Sequence, residues 1–150
     1  MGKDKIIIFG AGGHGKVVLD ILIESRANIL GFIDDDKAKI GRKIRGFSVL
    51  GDLSYLGKKK SATLALGIGN NVIRGKIFNK AKDMGINVIS AVHPKAIVSK
   101  DIKIGKGVVI MPGAVINSGA VLEDGVVVNT RASVDHDCYL GRFSQIWPGA

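Results

Sequence analysis

The sequence predicts an α/β half-fold over residues 1–90, joined to a parallel β-helix over residues 91–150. Three observations predict it. A short aliphatic run leads into a glycine loop, a helix and a second apolar run that ends in acids. Branched aliphatics recur every six residues through the second part. Glycine is abundant, at 21 residues against 3 prolines in a chain of 150. A content of 46% hydrophobic and 23% charged residues marks a folded chain rather than a disordered one.

Lys5–Phe9 reads as the first strand. Gly10-Ala-Gly-Gly-His-Gly15 follows, and Lys16–Ser25, with Val17, Leu19, Ile21 and Leu22, suits a helix lying on a sheet. Asn28–Ile33 is a second strand and ends at Asp34, Asp35 and Asp36. Strand, glycine loop, helix, strand and acid make a βαβ unit. Arg45–Leu50 reads as a hairpin arm and Thr63–Leu66 as a third buried strand before Gly67-Ile-Gly-Asn-Asn71. Val72–Met84 reads as a helix ended by Gly85, and Asn87–Val92 as a last strand leading into the repeat.

The loop fits G-x-G-x-x-G through Gly10, Gly12 and Gly15, with an acid 19 residues later. Such glycines let backbone N–H groups approach a diphosphate at the positive end of a helix. Alone, the pattern suggests a nicotinamide cofactor. Only half of a dinucleotide fold precedes the repeat, so a ligand with one nucleoside and a diphosphate fits better. The plainer alternative is a loop whose glycines serve only close strand–helix packing.

In the second part every sixth residue is a branched aliphatic: Val92, Val98, Ile104, Ile110, Ile116, Leu122, Val128, Val134, Leu140 and Ile146. Four places later stand Ala96, Ile102, Val108, Ala114, Ala120, Val126, Ala132, Cys138, Ser144 and Ala150, mostly small. Gly107, Gly113, Gly119, Gly125 and Gly149 each precede that small position. A helix repeats at 3.6 residues and a strand at 2, so a period of six fits the faces of a parallel β-helix. The aliphatic fills a triangular core, the small residue the crowded corner and glycine the turn. Three hexads make a coil, and coils stack at about 4.8 Å.

Residues 1–90 carry 16 Lys/Arg and 8 Asp/Glu, +8, and residues 91–150 carry 6 and 5, +1. The excess on the first part favours an anionic partner: a phosphorylated ligand, nucleic acid or an acidic surface. Lys58-Lys59-Lys60 is the only compact basic run and has no aromatic residue interleaved, so it reads as a solvated loop and nucleic acid is not an expected partner. No apolar run approaches the roughly 20 residues of a membrane span. The short run before Gly10 is no secretory core. The lone Cys138 excludes an internal disulfide framework and a multi-cysteine zinc site, and no metal is expected. Together these readings predict a cytoplasmic protein.

Gly10–Gly15, Phe32-Ile-Asp-Asp35, Gly67–Asn71 with Ile73 and Arg74, Val92-His-Pro94, and Asn129-Thr-Arg-Ala-Ser-Val-Asp-His-Asp-Cys138 occur in that order. As a set they resemble bacterial hexapeptide-repeat acetyltransferases that modify nucleotide-linked amino sugars or sialic acids. The resemblance implies a Rossmann-like domain that binds a UDP-sugar, then a left-handed β-helix that forms a homotrimer with acetyl-CoA between neighbouring subunits. Gly12, Gly13 and His14 match the loop around sugar and phosphates, Asp34 and Asp35 the acids at the nucleobase end, and Gly69 a further substrate contact. His136 matches the catalytic base. Asp137 is the better match for its carboxylate partner, with Asp135 second. Gln145 stands where the family commonly has a His touching the cofactor; it can hydrogen-bond but carries no charge.

The implied activity is acetyl-CoA-dependent N-acetylation of a UDP-linked amino sugar. A thioester needs no enzyme nucleophile. It needs an aligned amine and a base, and an imidazole with pKa near 6.5 takes a proton at neutral pH. Sialic acid O-acetylation on the same scaffold stays open, as does a non-catalytic trimeric scaffold that binds a nucleotide sugar. A β-helix carbonic anhydrase needs three His ligands for zinc, and the repeat offers only His93 and His136. His93 reads as structural and Cys138 as packing. The family continues through further coils, whereas the last hexad here starts at Ile146, so the expectation is a truncated chain that binds acetyl-CoA poorly.

Overall fold

The computed structural model describes residues 4–59 and 61–150, so Lys60 of the basic run lies outside the described residues. Strand β1 (Lys5–Phe9) is the centre of a parallel sheet, flanked by β2 (Ile29–Ile33) and β5 (Ala62–Leu66). Its alternate side chains serve opposite faces. Ile6 and Ile8 join Val18, Leu19 and Leu22 of helix α1 (Gly13–Glu24). Ile7 and Phe9 join Ile77, Phe78 and Ala81 of helix α2 (Asn71–Asp83). A strand covered on both faces has no polar side to alternate with, which is why β1 and β5 read as almost wholly apolar runs, interrupted only by Lys5 at the exposed start of β1 and by the buried Thr63.

Helix α1 begins at Gly13 instead of Lys16, inside the glycine loop. Its first turn carries no apolar residue, so hydrophobic periodicity gave no signal there. Helix α2 lies within one residue of its expected bounds, and the Asn70 side chain caps it by accepting from the Ile73 N–H at 2.9 Å. The hairpin arm is β3 (Lys43–Ile44) and β4 (Phe47–Ser48), antiparallel, and Val49 bridges to Phe32 at the sheet edge. Two 3-10 helices, Lys37–Lys39 and Leu53–Lys58, are capped by the side chains of Asp36 and Asp52.

The expected strand over 87–92 is divided. Val88 makes a single parallel bridge to Leu64, and only Ala91–Val92, strand β6, joins the repeat. Ser90 explains the break: its hydroxyl donates to the Gly105 carbonyl and accepts from the Val108 N–H, both at 3.0 Å. The chain is thereby drawn off the sheet and onto the first coil.

Three faces of short parallel strands follow. The first holds β6, β9 (Val109–Ile110), β12 (Val127–Val128) and β15 (Gln145–Ile146). The second holds β7 (Ile97–Val98), β10 (Val115–Ile116) and β13 (Ser133–Val134), and the third β8 (Lys103–Ile104), β11 (Val121–Leu122) and β14 (Tyr139–Leu140). Pairs such as Ala91 with Val109, Val115 with Ser133 and Val121 with Tyr139 are 18 residues apart, as three hexads to a coil require. Ile110, Ile116, Leu122, Val128 and Val134 are buried inside, with Ala114, Ala120 and Ala132 beside them. Cys138 is half-buried against the same core.

The corners adopt left-handed backbone at Gly107, Gly113, Gly119, Gly125, Arg131, Asp137, Phe143 and Gly149. The last three non-glycine corners, Arg131, Asp137 and Phe143, overlie Gly113, Gly119 and Gly125 of the preceding coil, and each closes the space a side chain there would need. The first face of the β-helix packs on α1, where Ala91, Val109, Met111 and Val127 join the core of Ile8, Val18 and Leu19. Phe143 packs edge-on against Phe78 of α2, with ring centres 5.4 Å apart. Among the described residues, no helix is long and apolar enough to cross a membrane.

Candidate active site

A cleft of about 430 Å³ opens at the C-terminal ends of β1 and β2. Gly12, Gly13, His14, Asp34, Asp35 and Gly69 all line it, so the six expected substrate residues come together. The glycines divide into two kinds. A Cβ on Gly15 would collide with the Gly10 carbonyl, and one on Gly10 with the Gly67 carbonyl, so these serve close packing of helix on sheet. Gly12 and Gly13 would meet nothing within 4 Å, and their missing side chains leave the cleft open. Among the described residues no side chain caps α1, so its first N–H groups are left for water or a ligand.

Asp34 is already engaged. Its Oδ2 accepts from the Ala11 N–H at 2.8 Å and from Lys39 Nζ at 3.2 Å, and its Oδ1 accepts from the Asp36 N–H at 2.9 Å. Burial opposes the charge, but these donors and Lys39 outweigh it and hold the carboxyl below its ordinary pKa. Asp34 therefore pins the glycine loop to the end of β2, while Asp35 stays exposed, accepting only a long 3.3 Å bond from the Leu53 N–H. His14 is pushed down to a pKa of about 4, first by burial and then by the charge of Arg74, so it is neutral at physiological pH. Its Nε2 is buried without a hydrogen-bond partner among the described residues.

His136 lies elsewhere, on the corner between β13 and β14. Its ring is exposed, and Nδ1 meets Asp137 Oδ2 at 2.8 Å. Asp135 holds the main chain instead, accepting from the His136 N–H at 2.8 Å. The hydrogen bond to Asp137 comes first in raising the imidazole above its ordinary pKa, followed by the charges of Asp135 and Asp137. With Nδ1–H donating to Asp137, Nε2 keeps its lone pair directed outward, which is the form a general base needs. Gln145 sits in β15 on the first face, paired with Val127, so one chain does not bring it to His136. His93 is buried and accepts from the Lys95 N–H at 3.0 Å, which accounts for it as a structural residue.

Sequence reasoning gave no role to Arg74 or Lys39. Arg74 is fully buried, and all its bonds go to neutral oxygens. The signal was available: Arg74, Ile77, Phe78 and Ala81 follow helical core spacing, and an arginine on such a stripe needs acceptors inside the protein. Among the described residues, no group of three or more His, Cys, Asp or Glu is placed to hold a metal.

Comparison with known proteins agrees with this architecture. Residues 5–81 match the PglD N-terminal domain family. The chain is 31% identical over 152 residues to a GDP-perosamine N-acetyltransferase of Escherichia coli O157:H7, covering 95% of this chain and 67% of that protein. It is 32% identical over 112 residues to a UDP-N-acetylbacillosamine N-acetyltransferase of Bacillus subtilis (strain 168), covering 68% of this chain and 49% of the relative. The chain spans 20%, 67% and 49% of the length of three curated relatives that it matches. The acetyltransferase domain of PglB from Neisseria gonorrhoeae FA1090, solved with acetyl coenzyme A, superimposes with a TM-score of 0.90 at 39% identity, covering 99% of this chain and 72% of that one. The fold is thus the Rossmann-like half followed by a left-handed β-helix, and the chain belongs to the PglD family of hexapeptide-repeat sugar acetyltransferases.

Proposed function

We propose that the chain works as an acetyl-CoA-dependent N-acetyltransferase on an amino sugar carried by a nucleoside diphosphate, UDP or GDP. The observation that carries this reading is the His136–Asp137 pair, 2.8 Å apart and open to solvent on a coil corner. The relatives' substrates support the acceptor class, and the glycine cleft supports the nucleoside diphosphate.

The chemistry follows from the residues. The sugar amine attacks the thioester carbonyl carbon, and His136 Nε2 takes the proton the nitrogen must lose. Asp137 stabilises the imidazolium and holds its tautomer. The same proton then goes to the departing thiolate of CoA, which regenerates neutral His136. A backbone N–H of an adjacent coil steadies the oxyanion. Gln145 supplies a neutral hydrogen bond to the donor. The cleft and His136 occupy different corners of one chain, so we place the reaction at a seam between copies in a homotrimer.

The test is thiol release from acetyl-CoA with UDP- and GDP-linked amino sugars, set against sialic acid as a hydroxyl acceptor. Thiol release faster with the amine than with the hydroxyl acceptor is expected, measured at saturating acetyl-CoA so that poor affinity for the donor does not hide it. Turnover with the hydroxyl acceptor alone, or with neither, overturns the reading.

A further inference from the structure

Among the described residues, the Arg74 side chain makes the most hydrogen bonds, five, and it has no counter-ion. Its Nε donates to the Gly125 carbonyl at 2.8 Å. Nη1 donates to the carbonyls of Ile68 and Gly69, both at 3.1 Å. Nη2 donates to Asn71 Oδ1 at 2.9 Å and to the Phe143 carbonyl at 2.8 Å. It enters no ion pair among the described residues. A buried guanidinium compensated only by dipoles keeps its full charge within a low-dielectric region, where its field is poorly screened.

The direction of those dipoles matters. Ile68 and Gly69 line the cleft, and their carbonyls turn away from it towards Arg74. In a trans peptide the N–H points opposite the C=O. The N–H groups of Gly69 and Asn70 therefore turn towards the cleft, and neither donates to another backbone group among the described residues. Gly12 and Gly13, at the start of α1, line the same cleft. Two sets of N–H groups thus border one cleft, one of them oriented by Arg74.

We propose that Arg74 is a positioning residue for a diphosphate: it aims the N–H groups of Gly69 and Asn70 at the anion and lends that wall its unneutralised charge. The inference rests on the nucleotide-sugar reading of the cleft. Arg74 also fixes this wall to the β-helix through Gly125 and Phe143, so the loop keeps its place relative to the coils.

Calorimetry of the whole chain with UDP against uridine, and GDP against guanosine, tests it. The ratio of diphosphate to nucleoside affinity isolates the anion from the base. In R74Q that ratio is expected to fall roughly tenfold to a hundredfold, the scale of one hydrogen bond to a charged group. Nucleoside affinity stays within about twofold, and R74K, which restores charge without the full fork, recovers much of the ratio. A folded R74Q with the wild-type ratio overturns the proposal while leaving the cleft reading intact. If wild type prefers neither diphosphate over its nucleoside, the cleft reading falls and this proposal with it. If neither R74Q nor R74K folds, Arg74 serves the fold alone and the proposal is wrong.

Discussion

Replacing Gly13 and Gly15 separately by Ala divides the glycine loop into its packing and binding parts. A Cβ on Gly15 would fall on the Gly10 carbonyl oxygen and lie near the Gly67 carbonyl oxygen at 3.6 Å, all of it backbone that cannot swing aside. Overpacking of this kind costs about 1–3 kcal/mol, and each kcal/mol moves Tm by about 2–4 °C in a chain of this size. G15A should therefore melt about 2–12 °C below wild type. Gly13 meets nothing within 4 Å and opens helix α1. Alanine is favoured over glycine in a helix by up to about 1 kcal/mol, so G13A should melt at or slightly above the wild-type temperature. Its methyl group nevertheless stands where the diphosphate must approach the helix end, and affinity for UDP or GDP should drop by roughly tenfold or more, about 1.4 kcal/mol. Scanning calorimetry reads the first effect and titration calorimetry the second. Wild-type nucleotide affinity in G13A, or an unshifted Tm in G15A, refutes the division.

Three further outcomes are expected. D137N removes the hydrogen bond that contributes most to raising the His136 pKa, so the acid limb of the kcat/KM profile should move to lower pH, towards the ordinary value of 6.5, as activity needs the neutral ring; an unmoved limb would mean that Asp137 does not tune the base. In G119A the new Cβ would strike the Asp137 carboxylate, and the site's left-handed φ of +76° disfavours alanine, so the same limb should shift in the same direction with a lower Tm, read by pH–rate profiles and thermal melts. His14 binds its proton near pH 6.5 when unfolded but only near 4 when folded, so the unfolded state takes up more protons between these values and acid destabilises the fold. Going from pH 7 to pH 5 should cost about 2 kcal/mol through this group, and H14Q should flatten that slope in urea titrations.

The repeat was legible because stacking coils admit one residue class at the inward aliphatic position, and Val92 through Ile146, stepping by six, are all branched aliphatics. Its corners were only partly legible. Glycine marked five of them, but Arg131, Asp137 and Phe143 adopt the same left-handed backbone, which neighbouring coils impose and residue type does not announce. The gathering of Gly12, Gly13, Asp34 and Asp35 follows from a βαβ unit, whose loops meet at one end of the sheet. Which acid stays free did not follow, since that depends on the Ala11 N–H reaching Asp34. The link from Arg74 to Phe143 spans 69 residues and two halves of the chain, and no local pattern specifies it. The His136–Asp137 pairing was readable from adjacency. The separate use of Asp135 for the main chain was not.

The central claim is that His136 accepts the proton of the sugar amine. The most direct test is the rate of acetyl transfer to a nucleotide-linked amino sugar in H136A, measured beside its affinity for the same sugar. The ring is exposed on a coil corner and is not among the residues that line the cleft, so sugar affinity should remain at the wild-type level. The rate should fall by ~10²–10⁴, the usual worth of a general base. A variant that transfers acetyl as fast as wild type contradicts the account.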